Sequence, residues 1–236
     1  MIKVTVWEEY EQSRDSADVR SVYPDGIHEC IAAFLKKDGA FTVRTATLHE
    51  PEDGLPQSVL DDTDVLLWWA HVAHDKVSDE TVKRIRERVL KGMGVIFLHS
   101  AHMSKPFTSL MGTSGALKWR DGDKEILWTI APQHPILEGV GDCVVLDEEE
   151  MYGEFFDIAP PEEVLLISWF SGGEVFRSLC TWNRGYGKVV YFRPGHETNP
   201  SYHHPDIQKI ITNATRWAYS PKKLDAITCP HAAPMV

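Results

Sequence analysis

Much that commonly announces a function is missing from this chain of 236 residues. It has only four cysteines, Cys30, Cys143, Cys180 and Cys229, widely spaced and without a C-x-x-C pair. That argues against a zinc ribbon or a disulfide framework and suggests reduced thiols. Basic residues are outnumbered, 24 Lys and Arg against 35 Asp and Glu, and the formal charge of −11 would repel a phosphate backbone. No Lys/Arg cluster offsets it, so no nucleic acid is expected as a partner. Apolar runs are short, and none approaches the length of a membrane span. The first residues, MIKVTVW, enter a strand directly without a signal-peptide pattern, so a cytoplasmic protein with no membrane contact is expected. The sequon Asn213-Ala-Thr215 then has no consequence.

Familiar catalytic signatures are absent too. There is no G-x-S-x-G: Gly112-Thr-Ser-Gly115 is one residue too short, with no strand running into it. None of the cysteines occupies a strand-to-helix elbow. Gly92-x-Gly94 precedes a strand and Gly185-x-Gly187 sits in a hairpin, so neither opens a helix as a dinucleotide fingerprint does. Covalent hydrolysis and a nucleotide cofactor both lose support. No internal repeat or low-complexity block is visible.

What is present is a chain 43% hydrophobic with eight Trp. Its apolar patterning alternates between strand and helix. Lys3 to Trp7 is a short strand; Gly26 to Lys37 places Ile27, Cys30, Ile31, Phe34 and Leu35 at helical spacing; Phe41 to Thr47 is β-rich. Asp64 to Trp69 is a buried run. Ser78 caps a helix that starts with Asp79 and Glu80 and ends in basic residues up to Lys91, and Gly94 to Leu98 is a second buried run. A short helix follows through Phe107 to Met111. This alternation predicts an α/β fold with a doubly wound, mostly parallel sheet flanked by helices. Glu125 to Ile130 and Cys143 to Leu146 suggest a small antiparallel excursion. Val164 to Trp169, Phe176 to Trp182 and Val189 to Phe192 return to strands, and Pro205 opens a last helix with Ile207, Ile210, Ile211, Ala214, Trp217 and Ala218 on one face. One domain over residues 1–220 and a tail over 221–236 are expected.

The core strands end in groups able to bind metal or transfer protons: Glu8-Glu9 after the first, His71 and His74 after Trp69, His99 and His102 after Leu98, and His196-Glu197 after the strand VVYFRPG. In a parallel sheet these ends share one edge, where open α/β sheets bind ligands. His71, His99 and His196 can supply the three protein ligands of a catalytic metal, zinc or manganese. The same histidines could instead act directly on substrate. Glu150 and Tyr152, set among apolar residues, are candidates for an acid/base pair with His102. Asp147 to Glu149 reads as a solvated acidic face. Glu8, His74 and Glu197 are candidates for substrate contacts. Trp69, near its strand's end, offers an aromatic face to a sugar ring, whereas Trp68 belongs to the core.

The segments "VLLWWAHVAHDKVSDE", "GVIFLHSAHMSKPF", "LMGTSGALKWR", "EEEMYGEFF", "ISWFSGGEVFRS" and "YFRPGHETNPSYHH" resemble the ThuA-like trehalose-utilisation proteins, from about Val4 to Tyr219. The resemblance implies a three-layer, flavodoxin-like fold of the class I glutamine amidotransferase type. That fold presents a cysteine nucleophile after a central strand. Here His99-Ser100 stands at that place, while Gly195-His196-Glu197 is similar to the fold's histidine-bearing segment, so the amidotransferase reaction is not expected. The family's role implies a sugar substrate oxidised to a 3-keto sugar by a partner dehydrogenase. A base and an electrophile would then permit isomerisation or elimination. A non-catalytic sugar-binding or regulatory protein and a metal-dependent hydrolase remain open as alternatives. A homo-oligomer is compatible with the aromatic content, although no segment specifies an interface.

Overall fold

The runs Val65–Trp69 and Gly94–Leu98 are uncharged and buried at every position. A strand reaches that state only where both faces of its sheet are covered. In a computed structural model describing residues 1–235, these two strands lie at the centre of the parallel half of one nine-stranded sheet. Val236, the last residue of the expected tail, lies outside the described residues.

In chain order the elements are β1 (Ile2–Glu8), α1 (Glu11–Asp15), α2 (Ala17–Val22), α3 (Ile27–Lys36), β2 (Phe41–Thr47), α4 (Gln57–Asp61), β3 (Val65–Trp69), α5 (Asp79–Leu90), β4 (Gly94–Leu98), α6 (Lys105–Met111), β5 (Lys118–Thr129), β6 (Cys143–Gly153), β7 (Glu163–Phe170), β8 (Val175–Arg184), β9 (Gly187–Phe192) and α7 (Pro205–Ala218). The sheet order is β2-β1-β3-β4-β9-β8-β7-β5-β6. The first five are parallel to their neighbours, and the remaining pairings are antiparallel. The expectation of a mostly parallel sheet with a small antiparallel excursion is therefore corrected. Half of the sheet is antiparallel, and the excursion is part of the main sheet. The physical reason lies in β5: its first residues, Lys118 to Gly122, are exposed and mostly polar, so no apolar periodicity marks them, and pairing with β6 makes them strand.

Because side chains alternate across a strand, the parallel strands feed two cores. Val4, Val6, Leu67, Trp69, Ile96 and Leu98 pack under α3 and α7. Trp7, Leu66, Trp68, Val95 and Phe97 pack under α4, α5 and α6, where Trp7 and Trp68 stack with ring centroids 3.7 Å apart. α5 begins as expected, with the Ser78 hydroxyl accepting from the Thr81 backbone N–H. On α7, Ile207, Ile210, Ile211, Ala214 and Ala218 are buried, whereas Trp217 is only half-buried and carries the Lys188 ammonium 4.5 Å from its ring centroid. After Ala218 the described chain forms no further helix or strand, although Leu224 N–H still bonds the Lys91 carbonyl at 2.8 Å. None of the four cysteines is paired, and no helix among the described residues is long and apolar enough to cross a membrane.

The end of α7 touches the start of β4 so closely that a Cβ on Gly94 would stand 2.3 Å from the Ala218 carbonyl oxygen. Gly94→Ala should therefore destabilise the fold by about 1–3 kcal/mol, the usual range for overpacking a core. The check is a lowered midpoint in urea with an unchanged m-value.

Candidate functional site

The carboxyl ends of β1, β3, β4 and β9 meet at one edge of the sheet. This brings together His71, two residues beyond β3, His99, directly after β4, and His196 in the loop after β9. Their ring centroids are 5.5–5.7 Å apart in all three pairs. His99 itself is left-handed (φ 52), a conformation that costs a non-glycine residue roughly 1–2 kcal/mol. This strained turn aims its side chain across the strand ends, and such strain collects at functional positions.

Each ring is oriented from behind. The His99 Nδ1 lies 3.1 Å from the Arg193 carbonyl oxygen and donates to it, leaving Nε2 toward Glu150 and the Tyr152 hydroxyl. The His71 Nδ1 donates to Gln12 Oε1 at 2.8 Å, while Gln12 Nε2 donates to Glu197 Oε1 at 2.6 Å. One amide from α1 thus fixes a histidine and a carboxylate together. The His196 Nδ1 meets the Thr198 hydroxyl at 2.9 Å. Histidines whose Nδ1 is committed to an outer acceptor are the usual ligands of a metal through Nε2.

Two carboxylate oxygens complete the cluster. Glu197 Oε2 lies 3.0 Å from His71 Nδ1, and Glu150 Oε2 lies 3.1 Å from His99 Nε2. Both are buried, yet neither is aligned as a hydrogen-bond acceptor. An orphaned buried carboxylate oxygen costs free energy unless a cation or proton satisfies it. Two overlapping groups can hold an ion: His71, His99 and Glu197, and His71, Glu150 and His196. The structure thus brings the three predicted histidines together but pairs them two at a time with a carboxylate. The donor set suits a divalent metal.

Electrostatics follow from the same contacts. Burial alone would raise Glu150, but His99, with His196 and His71 nearby, holds it down at about 2, so the carboxylate is ionised. Glu197 is likewise held at about 2, against its burial, by His71. His71 is raised, since Glu197 outweighs the cost of burial, whereas His196 is lowered by burial and by His99. Burial and the nearby His71 bring His74 down to about 4. His102, buried and donating from Nδ1 to the Gly115 carbonyl at 2.7 Å, falls to about 3. Tyr152 is raised well above the usual phenol value by burial and by Glu150. It shares a 2.8 Å hydrogen bond with Ser100.

Above this floor opens a cavity of about 510 Å³ bordered by His71, His74, His102, Glu150, Tyr152 and His196, with Trp119 and Asp121 on its outer wall. Three predicted contacts are not on it, and one of these, Glu197, belongs to the histidine cluster beneath. Glu8 is wholly buried and accepts from Ser13, from the His28 ring at 2.5 Å and from the His28 backbone N–H at 3.0 Å. It serves the first turn of α3, whose N-cap Gly26 has no side chain to do so. Trp69 lies in the core under α3 and α7, and its Nε1 donates to the Gly195 carbonyl at 3.1 Å. The aromatic face on the cavity belongs to Trp119 instead. The acidic run also needs correction: Asp147 and Glu148 are exposed, but Glu149 is buried and ion-paired to Arg193 at 3.2 Å.

Sequence reasoning missed Arg193, Glu125, Glu149, Gln12 and Trp119. A lone arginine inside the apolar run VVYFRPG was a usable signal, since a charge there needs buried partners. Nothing in the sequence marked Gln12.

The family profile described as "ThuA: Trehalose utilisation" matches residues 3–218. No curated protein matches the chain. Among solved structures, a ThuA-like protein from Parabacteroides merdae is 17% identical with a TM-score of 0.68, covering 96% of this chain and 92% of its own. A ThuA-like protein from Bacteroides uniformis is 16% identical with a TM-score of 0.70, covering 94% and 93%. A protein of Salmonella typhimurium described as cytoplasmic is 14% identical with a TM-score of 0.61, covering 92% and 99%. At these identities the likeness extends to the fold.

His102 yields a pH prediction. Its unfolded value is near 6.5 and its folded value about 3. The unfolded chain therefore takes up the proton first. The stability tied to this neutral imidazole is complete above pH 6.5 and is lost as pH falls toward 3. His102→Gln, which keeps a donor for the Gly115 carbonyl and does not titrate, should lower the acid-side slope by up to about 1.4 kcal/mol per pH unit. Urea unfolding of both proteins between pH 7 and pH 4, reported as a difference in slope, checks it.

Proposed function

This chain belongs to the ThuA trehalose-utilisation family, and on that premise we propose that it acts in disaccharide use as an enzyme on a 3-keto sugar, moving a proton beside the sugar's carbonyl. The observation that carries the reading is the convergence of His71, His99 and Glu197, with outer-shell bonds at both histidines and an orphaned carboxylate oxygen, beside an open cavity. These three residues hold a divalent cation, zinc or manganese. When bound, it would polarise the ketone and stabilise the charge of an enediolate.

The protein groups supply the rest. Glu150 is the one carboxylate that both touches the histidine cluster and opens onto the cavity, and it is ionised. It takes the proton from the carbon next to the carbonyl. The electron pair left behind forms the carbon–carbon double bond of the enediolate. Transfer of the neighbouring hydroxyl's proton to the former carbonyl oxygen, with a proton added to the former carbonyl carbon, then moves the carbonyl by one carbon and completes an isomerisation. Alternatively, the ketone re-forms, the double bond shifts to the anomeric carbon, and the glycosidic oxygen departs with its bonding pair and is protonated, which completes an elimination. Tyr152, held protonated by burial, and His102, neutral with Nδ1 already donating, are the remaining groups that move a proton in the cavity. His196 orients substrate, and His74 lies on the wall. The keto sugar requires a sugar dehydrogenase upstream, and the place of action is the cytoplasm, as described for the Salmonella neighbour.

The test is an NMR time course with 3-keto-trehalose, with and without a chelator, beside metal analysis of the purified protein. Conversion that stops on chelation and returns with zinc or manganese is expected. His71→Ala, which removes a ligand common to both groups, should release the cation, and Glu150→Gln should retain it while losing roughly 10²–10⁴-fold in turnover. Chelation without effect sinks the metal-assisted step. An unchanged keto sugar in every tube sinks the enzyme and leaves a sugar-binding protein.

A further inference from the structure

The cavity continues past the histidine floor onto an arm of the antiparallel half of the sheet. β5 begins at Lys118, and its first residues are exposed. Trp119 stands directly opposite Tyr152 across the β5–β6 ladder. Directly opposed residues share a face, so the indole lies on the cavity side, where it is 63% exposed. Arg120, the next residue, points the other way and is tied by Asp123 (Nε, 2.9 Å) and Glu174 (2.7 Å). This bracing fixes the arm and with it the indole. Trp128 and Trp169 are also exposed, but both stand away from this cavity.

Beside Trp119, Asp121 lies where the β5–β6 register shifts. Its carboxylate makes no hydrogen bond or ion pair among the described residues. It borders both the 510 Å³ cavity and an adjoining recess of about 140 Å³, and the two also share Glu150 and His196. The combined space falls in the range of pockets that enclose a whole small ligand, about 300–1,000 Å³. A flat apolar indole next to a free carboxylate matches a sugar ring, which offers a face of C–H groups and an edge of vicinal hydroxyls.

We propose that Trp119 and Asp121 form a second sugar subsite. The ring bearing the ketone sits at Glu150 and the histidines, and the ring across the glycosidic bond stacks on Trp119 with its hydroxyls donating to Asp121. The inference rests on the keto-sugar reading above and adds which residues hold the ring that does not react. Stacking of the remote ring is made alike in the bound substrate and in the transition state, so it lowers KM.

The experiment compares 3-keto-trehalose with 3-keto-glucose as substrates of the wild-type protein, Trp119→Ala, Asp121→Asn and, as a control away from the cavity, Trp169→Ala. Circular dichroism monitors folding. In Trp119→Ala the ratio of kcat/KM for the disaccharide over the monosaccharide should fall roughly tenfold, the equivalent of one good aromatic contact. The loss should be mainly in KM. Asp121→Asn should shift the ratio in the same direction and Trp169→Ala should not. Equal losses on both substrates, or a ratio unchanged in Trp119→Ala, overturn the subsite while the keto-sugar reading stands. No turnover of either substrate by the wild type overturns that reading and the subsite with it.

Discussion

Arg193 is fully buried at the junction between the two halves of the sheet. It follows β9, the last parallel strand, and its guanidinium reaches Glu125 on β5, Glu149 on β6 at 3.2 Å and the Glu150 carbonyl at 2.6 Å. A buried cation is tolerated only where its partners repay the loss of water, and removing one partner from such a group typically costs about 3–5 kcal/mol. Burial pushes Glu125 up, while Arg193 keeps Glu149 low enough to remain charged. Glu149 in turn binds the Gly195 N–H at 3.0 Å and Ser201, fixing the loop that carries His196 and Glu197. The backbone carbonyl of Arg193 orients His99. Through one residue the core charge balance, the loop after β9 and the histidine at the strained turn after β4 are held in a single arrangement.

How much of this was legible in the sequence depended on how locally each feature is determined. β3 and β4 are continuous apolar runs whose burial follows from composition, and α5 carries its cap and dipole charges within its own residues. The histidines were legible because parallel strands place their carboxyl ends on one edge. What failed depended on partners distant in sequence. Lys118 to Gly122 resemble a polar loop until β6 lies beside them. Glu149 resembles its exposed neighbours Asp147 and Glu148 until Arg193, 44 positions later, reaches it. Trp69 could be placed near the edge, but which face of its strand it occupied depended on the stacking of Trp7 on Trp68. The grouping of His71 with Glu197 was also hidden, since no spacing rule couples Gln12 to both of them.

The strain at His99 fits this picture. The turn directly after β4 holds a non-glycine residue in the left-handed region, and the side chain it presents at the strand ends is an imidazole. A ring fixed at that position needs an acceptor behind it, and the Arg193 carbonyl provides it.

The two halves of the sheet divide the labour of the site unequally. The histidines and Glu197 come from the parallel half, where their backbones are enclosed by two cores and by Arg193. Trp119 and Asp121 come from an arm that is paired through its backbone with β6 and whose first side chains are exposed and bonded only through the Arg120 brace. An amino-acid change on the arm disturbs few contacts beyond that brace, whereas a change on the floor propagates through a buried charge network. On the reading proposed above, recognition over evolutionary time therefore rests on a few exposed residues of one hairpin that are free to vary, while the proton-moving groups sit in a scaffold that tolerates little variation.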